Sequence, residues 1–399
     1  MSDSPLRVLL GSQLFWPAYS GAAIRFQRYA PGLRKRSVEL EVVTIDRGDR
    51  PREDVVDGIP VHRIAGGIRG GLTNAAFFST LASQSRISRP DIVQVMGTSP
   101  MAIPYFASIR RAGIPIVHPV SMVRKLSSNP LRRLEQRIHR RLSMSFVDCL
   151  VARHKLMKGY LRSLGGRKRI EIIPHGVDLE RFRPADTTEA KHHLRRQLGL
   201  GPEAQVVIFI GGMSTRRMSA RKGIHLLLEG WPQVLAERPE ALLLLVGPTG
   251  SEHSNDGRFI SQGPDRRIHA VGQVPNVEEF LRCADLLVLP SAQEGHPNAV
   301  VEAMASGVPC LLTPYIGLAK ELGEPGRDYM LAPRESQPLA KAIVDLLGNT
   351  KLRSTIAISG RRRVEQHMNV NDTLDRYASL YRELAGIHSS VDADRPTSI

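Results

Sequence analysis

Cysteine is scarce, aromatic residues make up only 5% of the chain, and long apolar runs are missing. The three cysteines, Cys149, Cys283 and Cys310, lie far apart, with no CxxC pair and no histidine at zinc-ligand spacing. That excludes a disulfide framework and a zinc ribbon, and it points to buried thiols in a reducing compartment. No apolar stretch approaches the ~18 residues that would cross a bilayer, and the opening MSDSPLRVLLGSQLFW lacks the basic start of a signal peptide. The expected localisation is cytoplasmic, either free or peripheral on the inner face of a membrane. There is no RNA-binding signature and no basic stripe interleaved with aromatics, so no nucleic-acid partner is expected.

The 399 residues are 42% hydrophobic and 24% charged, an ordinary globular balance with enough chain for two cores. Positive charge is the unusual feature. The formal net charge is +16; residues 1–180 hold 29 Lys+Arg against 14 Asp+Glu, whereas residues 181–399 hold 26 against 25. An anionic partner would therefore meet the first half.

Short β-branched runs alternate with longer segments of helical period, the pattern of βαβ units and parallel sheets. RVLL, ELEVVTI, PVHRI, DIVQVM, IPIVHPV, CLVA and RIEIIP are the strand candidates of the first half; QVVIFIG, ALLLLVG, IHAVG, DLLVLP and VPCLLTP are those of the second. Between the sets, PHGVDLERFRP (174–184) reads as an interdomain linker. The reading is α/β, with two doubly wound domains, 1–180 and 181–372, a helix over 373–387 and a polar disordered tail over 388–399.

In open parallel sheets ligands bind beyond the carboxyl ends of the strands. VVIFI is followed there by GGMSTRRMSARKG, a basic glycine-rich loop suited to phosphate. DLLVLP is followed by SAQEGHPNAVVEAMASG, in which Pro297 opens a helix and Gly307 stops it. Asn298, Glu302 and Ser306 recur every four residues as one polar stripe among Ala, Val and Met, so the stripe faces either solvent or a ligand. Glu294 stands in the loop before that helix. Two carboxylates repel phosphate but accept hydrogen bonds from hydroxyls. Carboxylates for hydroxyls, beside Arg, Lys and a helix N-terminus for phosphate, describe a site for a sugar nucleotide.

The succession IPHGVD, FIGG, RKG, LLLLVG, ADLLVLPS and EGHPNAVVEAMASGVP resembles the retaining glycosyltransferases of family 4 (glycosyl transferases group 1), over nearly the whole chain and most strongly over 170–325. The resemblance implies the GT-B fold, two Rossmann-like domains facing a central cleft, with an acceptor-binding N-terminal domain and a C-terminal domain for the nucleotide-sugar donor. It implies a helix over 373–387 packing back on the N-terminal domain. Glu294 would contact the donor sugar and Glu302 the ribose, with backbone groups of Gly295, His296, Pro297, Asn298 and Ala299 near the diphosphate. Lys222 would neutralise the departing phosphate. Gly21, in PAYSGAA, would face it from the N-terminal domain.

Three positions depart from the family pattern. Gly211-Gly212 stands where a Gly-Arg is usual, so the guanidinium is assigned to Arg216, Arg217 or Arg221, with Arg217 as the catalytic candidate. Ser20-Gly21 replaces Gly-Gly. The family histidine falls by register at about Ser121, while His118, three residues earlier, is the catalytic candidate here, with a buried core histidine as the alternative.

The expected activity is metal-independent, retaining hexosyl transfer from a nucleoside-diphosphate sugar, UDP favoured over GDP, to a saccharide or lipid-linked acceptor such as a surface-polysaccharide precursor. No cofactor is expected, and the only Asp-x-Asp, Asp392-Ala393-Asp394, lies in the tail. A sugar-nucleotide epimerase or a phosphorylase of the same fold is one alternative; a basic nucleic-acid-binding or scaffold protein is another. The segment LRRLEQRIHRRL (131–142) sets Leu131, Leu134, Ile138 and Leu142 against five arginines. It reads either as a helix lying on anionic lipid or as a core helix with a solvated basic face.

Overall fold

The computed structural model describes residues 4–16, 21–46, 50–64, 71–123, 127–164, 168–213, 215–248, 260–261 and 267–387. The runs of branched residues form two parallel sheets, each in its own unit: Met1–Pro174 with Asn371–Ile399, and His175–Val370.

In the first unit the strands are β1 (Leu6–Gly11), β2 (Val38–Ile45), β3 (Glu53–Val56), β4 (Ile59–Ile64), β5 (Ile92–Val95), β6 (Ile116–Pro119), β7 (Cys149–Ala152) and β8 (Arg169–Ile172). Their order is β3-β4-β2-β1-β5-β6-β7-β8, with only β3 antiparallel. The order reverses beside β1, where β2 lies on one side and β5 on the other. In the second unit, β9 (Gln205–Ile210), β10 (Ala241–Val246), β11 (Ile260–Ser261), β12 (Ile268–Gly272), β13 (Leu286–Leu289), β14 (Cys310–Leu312) and β15 (Met330–Leu331) run β11-β12-β10-β9-β13-β14-β15. Here the reversal is between β10 and β13 about β9, in the register Leu286↔Val207 and Leu287↔Ile208. Strands β5, β7, β10 and β13 are buried at every position, because helices cover both faces.

Twelve of the fifteen strands among the described residues fall on the runs named from sequence. The sequence reading missed β3, β11 and β15. All three are short edge strands, and β3, Glu-Asp-Val-Val, has no apolar alternation to mark it. The linker expectation is corrected. The unit boundary falls between Pro174 and His175, and 175–184 is integral to the second unit. Val177 donates to the Met368 carbonyl (2.8 Å) and accepts from the Val370 amide (3.0 Å). Phe182 is buried, and Arg361 donates to its carbonyl (2.7 Å). Phe182 and Val177 are the apolar residues that a Pro-bounded linker reading overlooks.

The C-terminal helix Val370–Leu384 places Tyr377 edge-on to Phe26, with centroids 5.4 Å apart, and the Tyr381 hydroxyl donates to Gln94 Oε1 at 2.7 Å. The expected tail, 388–399, lies outside the described residues. All three cysteines are free and buried. Burial pushes the Cys149 thiol up to about 11 and the Cys283 thiol to about 12, which leaves both as inert small hydrophobes.

Candidate functional site

The second unit's switch point gathers its polar side chains. After β9 comes Gly211, whose carbonyl lies so close to Gly247 that a Cβ there would sit 2.2 Å from it; Gly247 also has φ +132°. Thr215 then caps a helix, its hydroxyl accepting from the Met218 amide at 3.2 Å. The expected loop is thus a helix over Arg216–Lys222. The Thr cap and the Gly223 stop specify it, but a segment of seven residues shows too little periodicity to be read as a helix. Gly223 (φ +74°) ends the helix against β13: a Cβ would meet the Pro290 carbonyl oxygen at 2.0 Å. Arg334 joins the two loops, donating to the Pro290 carbonyl (3.1 Å) and the Ala220 carbonyl (2.9 Å). The Ala292 amide donates to the Arg221 carbonyl at 2.8 Å.

This docking sets Lys222 Nζ 2.7 Å from Glu294 Oε1, and the Ser291 hydroxyl donates to the same oxygen at 2.8 Å. Arg221 Nη1 stands 3.6 Å from that oxygen and donates to the Gln293 carbonyl at 3.0 Å. Glu294 is only 7% exposed. Its backbone is held by the Ile316 carbonyl (3.1 Å), and Gly317 (φ +103°) packs against its carbonyl oxygen, where a Cβ would approach to 2.0 Å. Tyr315 is buried beside it; burial first, then the Glu294 charge, pushes its phenol well above the ordinary range. Of the three arginines named from sequence, Arg221 is the one beside Glu294. Arg216 and Arg217 are exposed in the first turn of the helix.

The helix after the loop spans Asn298–Ala305, with Pro297 at its N-cap and Gly307 (φ +68°) after its end. Glu302 is 7% exposed and Ser306 is buried, its hydroxyl bonded to the Glu302 carbonyl at 2.9 Å. Glu302 and Ser306 therefore do not face solvent. Gly295, Pro297 and Ala299 are buried, while His296 and Asn298 are half-buried. His296 stacks edge-on to His175 at 6.0 Å. Gly212 is covered by Met218, whose Cε would lie 2.4 Å from an added Cβ, so the usual arginine would displace that side chain. Sequence reasoning missed Ser291 and Arg334; both act through tertiary contacts with no spacing to signal them.

In the first unit Gly21 is the first residue of the helix Gly21–Arg34, and most of the PAYSGAA loop before it, residues 17–20, lies outside the described residues. His118 is buried, its Nδ1 2.8 Å from the Val95 carbonyl, so Nδ1 carries the proton. Burial, then the Arg153 charge, lowers its pKa, against the Val95 bond that raises it. Ser121 is exposed just beyond β6.

Two family descriptions match the chain: Glycosyltransferase Family 4 over residues 19–181 and Glycosyl transferases group 1 over residues 204–349. The chain belongs to glycosyltransferase family 4. Among similar family proteins, a D-inositol 3-phosphate glycosyltransferase of Nocardia farcinica is 24% identical, over 94% of this chain and 88% of its own length. A putative teichuronic acid biosynthesis glycosyltransferase of Bacillus subtilis is 33% identical, but over only 43% of this chain and 40% of that protein. Solved structures share the GT-B fold. Sucrose-phosphate synthase from Thermosynechococcus elongatus superposes with a TM-score of 0.74 at 19% identity, covering 96% of this chain and 100% of that one. Anabaena HepE, solved with UDP-glucose, gives 0.72 at 20%, covering 95% and 100%.

Proposed function

We propose that this family 4 protein is a retaining glycosyltransferase that moves a hexose from a nucleoside-diphosphate sugar, UDP-linked in preference to GDP-linked, to a hydroxyl acceptor. The observation that carries the reading is the 2.7 Å Lys222–Glu294 pair between the loops after β9 and β13. In this reading Lys222 and Arg221 meet the diphosphate, where negative charge develops as the glycosidic bond breaks. Such preorganised charge is the usual source of rate in a water-excluded site. Glu294, held by Ser291, accepts from donor-sugar hydroxyls, and Glu302 accepts from the ribose. The Lys222–Glu294 bond then stands in for the donor: phosphate draws the ammonium away as hydroxyls replace it on the carboxylate.

Support for UDP comes from HepE, solved with UDP-glucose; a GDP-mannose-dependent mannosyltransferase of Corynebacterium glutamicum, 27% identical over 52% of this chain and 55% of its own length, keeps GDP in the comparison. Lys222→Ala should lower turnover by about 100-fold or more. Side-chain cations do the charge work in this scheme, so EDTA should leave turnover unchanged. Normal turnover in folded Lys222→Ala and Glu294→Ala chains would end the reading.

We also propose peripheral attachment to anionic lipid through the helix Pro130–Ser143. Leu131, Leu134, Ile138 and Leu142 are 79%, 56%, 51% and 46% exposed. The core-helix alternative requires these four side chains to be buried. An apolar stripe flanked by arginines, left facing water, matches the chemistry of a headgroup boundary. Co-sedimentation with phosphatidylglycerol vesicles tests it: binding should be lost on replacing Leu134 and Ile138 with Ser, and an absence of binding at low salt would refute it.

A further inference from the structure

A second polar cluster lies at the carboxyl edge of the first unit's sheet. Arg153 follows β7 directly and is 1% exposed, yet neither Nη1 nor Nη2 has a hydrogen-bond partner. No carboxylate pairs with it among the described residues. A buried guanidinium left in this state is costly, because desolvation is repaid only by an opposite charge and by filled hydrogen bonds. Tyr377, from the C-terminal helix, is fully buried, and its hydroxyl likewise has no partner.

These groups share one place. Arg153 opposes the charging of His118 on β6, and Tyr377 feels both Arg153 and Arg25, the latter from the first turns of the helix after β1. Four elements thus bring two guanidinium groups, a phenol and a neutral imidazole together beside the strand ends. A cation would be repelled here, and a neutral ligand would leave Arg153 uncompensated. A multi-oxygen anion fits, because the guanidinium fork donates two parallel bonds to phosphate and the phenol can donate a third.

We propose that Arg153, Arg25 and Tyr377 form an anion subsite for a phosphate group carried by the acceptor. The acceptor role rests on the glycosyltransferase reading above; the anion site itself does not.

Inorganic phosphate is the probe. Titrated against the full chain, it should raise the unfolding midpoint saturably, and that rise should survive Lys222→Ala, which removes donor-phosphate charge in the other unit. Arg153→Met should abolish this rise while raising the midpoint of the ligand-free chain, since it removes an uncompensated buried charge. A purely structural arginine would lower it. Tyr377→Phe keeps the packing and should weaken phosphate binding about 10-fold, the worth of one hydrogen bond to a charged acceptor. Arg153→Met and Tyr377→Phe chains that bind phosphate as tightly as the unmodified protein would overturn the proposal, as would a wild-type chain indifferent to phosphate.

Glycerol 3-phosphate and phosphatidic acid in nanodiscs, tested in parallel, tell whether a soluble or a lipid-borne phosphate occupies the site. Stabilisation by UDP-glucose, dependent on Lys222, is measured separately. Its failure with phosphate binding intact would remove the donor reading and leave the anion site; the reverse result would remove only the anion site.

Discussion

At the scale of single residues, the Lys222–Glu294 pair joins a half-buried ammonium to a buried carboxylate, with side chains 14% and 9% exposed. Removing one partner of such a pair strands the other, at a cost of roughly 3 kcal/mol. Lys222→Ala should therefore lose stability in urea unfolding as well as turnover, and the Lys222→Ala/Glu294→Ala double variant should be less destabilised than the sum of the single ones. Ser291→Ala leaves the carboxylate with one donor fewer. It should cost about 1 kcal/mol and raise the donor KM. His118 gives a pH signature. Its folded pKa lies below the ordinary 6.5, chiefly through burial, so below that value the unfolded chain binds a proton that the folded chain refuses. Its contribution is complete above pH 6.5 and is lost as pH falls from there toward the folded value, at up to ~1.4 kcal/mol per unit. His118→Gln should flatten that part of the urea-unfolding pH profile.

At the scale of elements, three glycines allow the loops of the candidate site to touch: Gly223 on Pro290, Gly247 on Gly211 and Gly317 on Glu294, all at positive φ. Gly317→Ala must shift the Glu294 backbone, because its Cβ would meet the carbonyl oxygen 2.0 Å away. The strained backbone alone costs of order 1–3 kcal/mol. The expected outcome is a lower unfolding midpoint with weakened UDP-glucose binding by calorimetry; unchanged binding would show that the loop adapts. The helix Pro130–Ser143 illustrates the opposite case. Asn129 caps it at 3.0 and 3.2 Å, so it is well specified locally, yet its apolar stripe is left exposed among the described residues.

At the scale of the whole molecule, the first unit is discontinuous in sequence: it needs Asn371 onward to complete its core. Leu374, Tyr377, Leu380 and Tyr381 are all buried there. Side chains of this size contribute about 2 kcal/mol each, together on the order of a domain's whole stability. Truncation after Val370 should therefore unfold the first unit while the second, continuous from His175, keeps its own thermal transition. Calorimetry would separate the two transitions, and an unchanged profile would contradict this dependence.

The alternation of apolar runs determined the strands and the parallel sheets, because period and burial are written locally in the chain. The Glu294–Glu302 element was legible for the same reason: its spacing is that of one helix and the loop before it. Only the tertiary structure decided which arginine stands beside Glu294. Arg216, Arg217 and Arg221 are equivalent in sequence, but the docking of Gly223 on Pro290 aims Arg221 and Lys222 at Glu294 and leaves the other two in water. Ser291, Arg334 and the buried Arg153 were invisible for the same physical reason: their surroundings are set by neighbours distant in sequence. The exposed Leu131 stripe is the converse. Periodicity marks a face as apolar, but only the packing around the helix shows whether anything covers it.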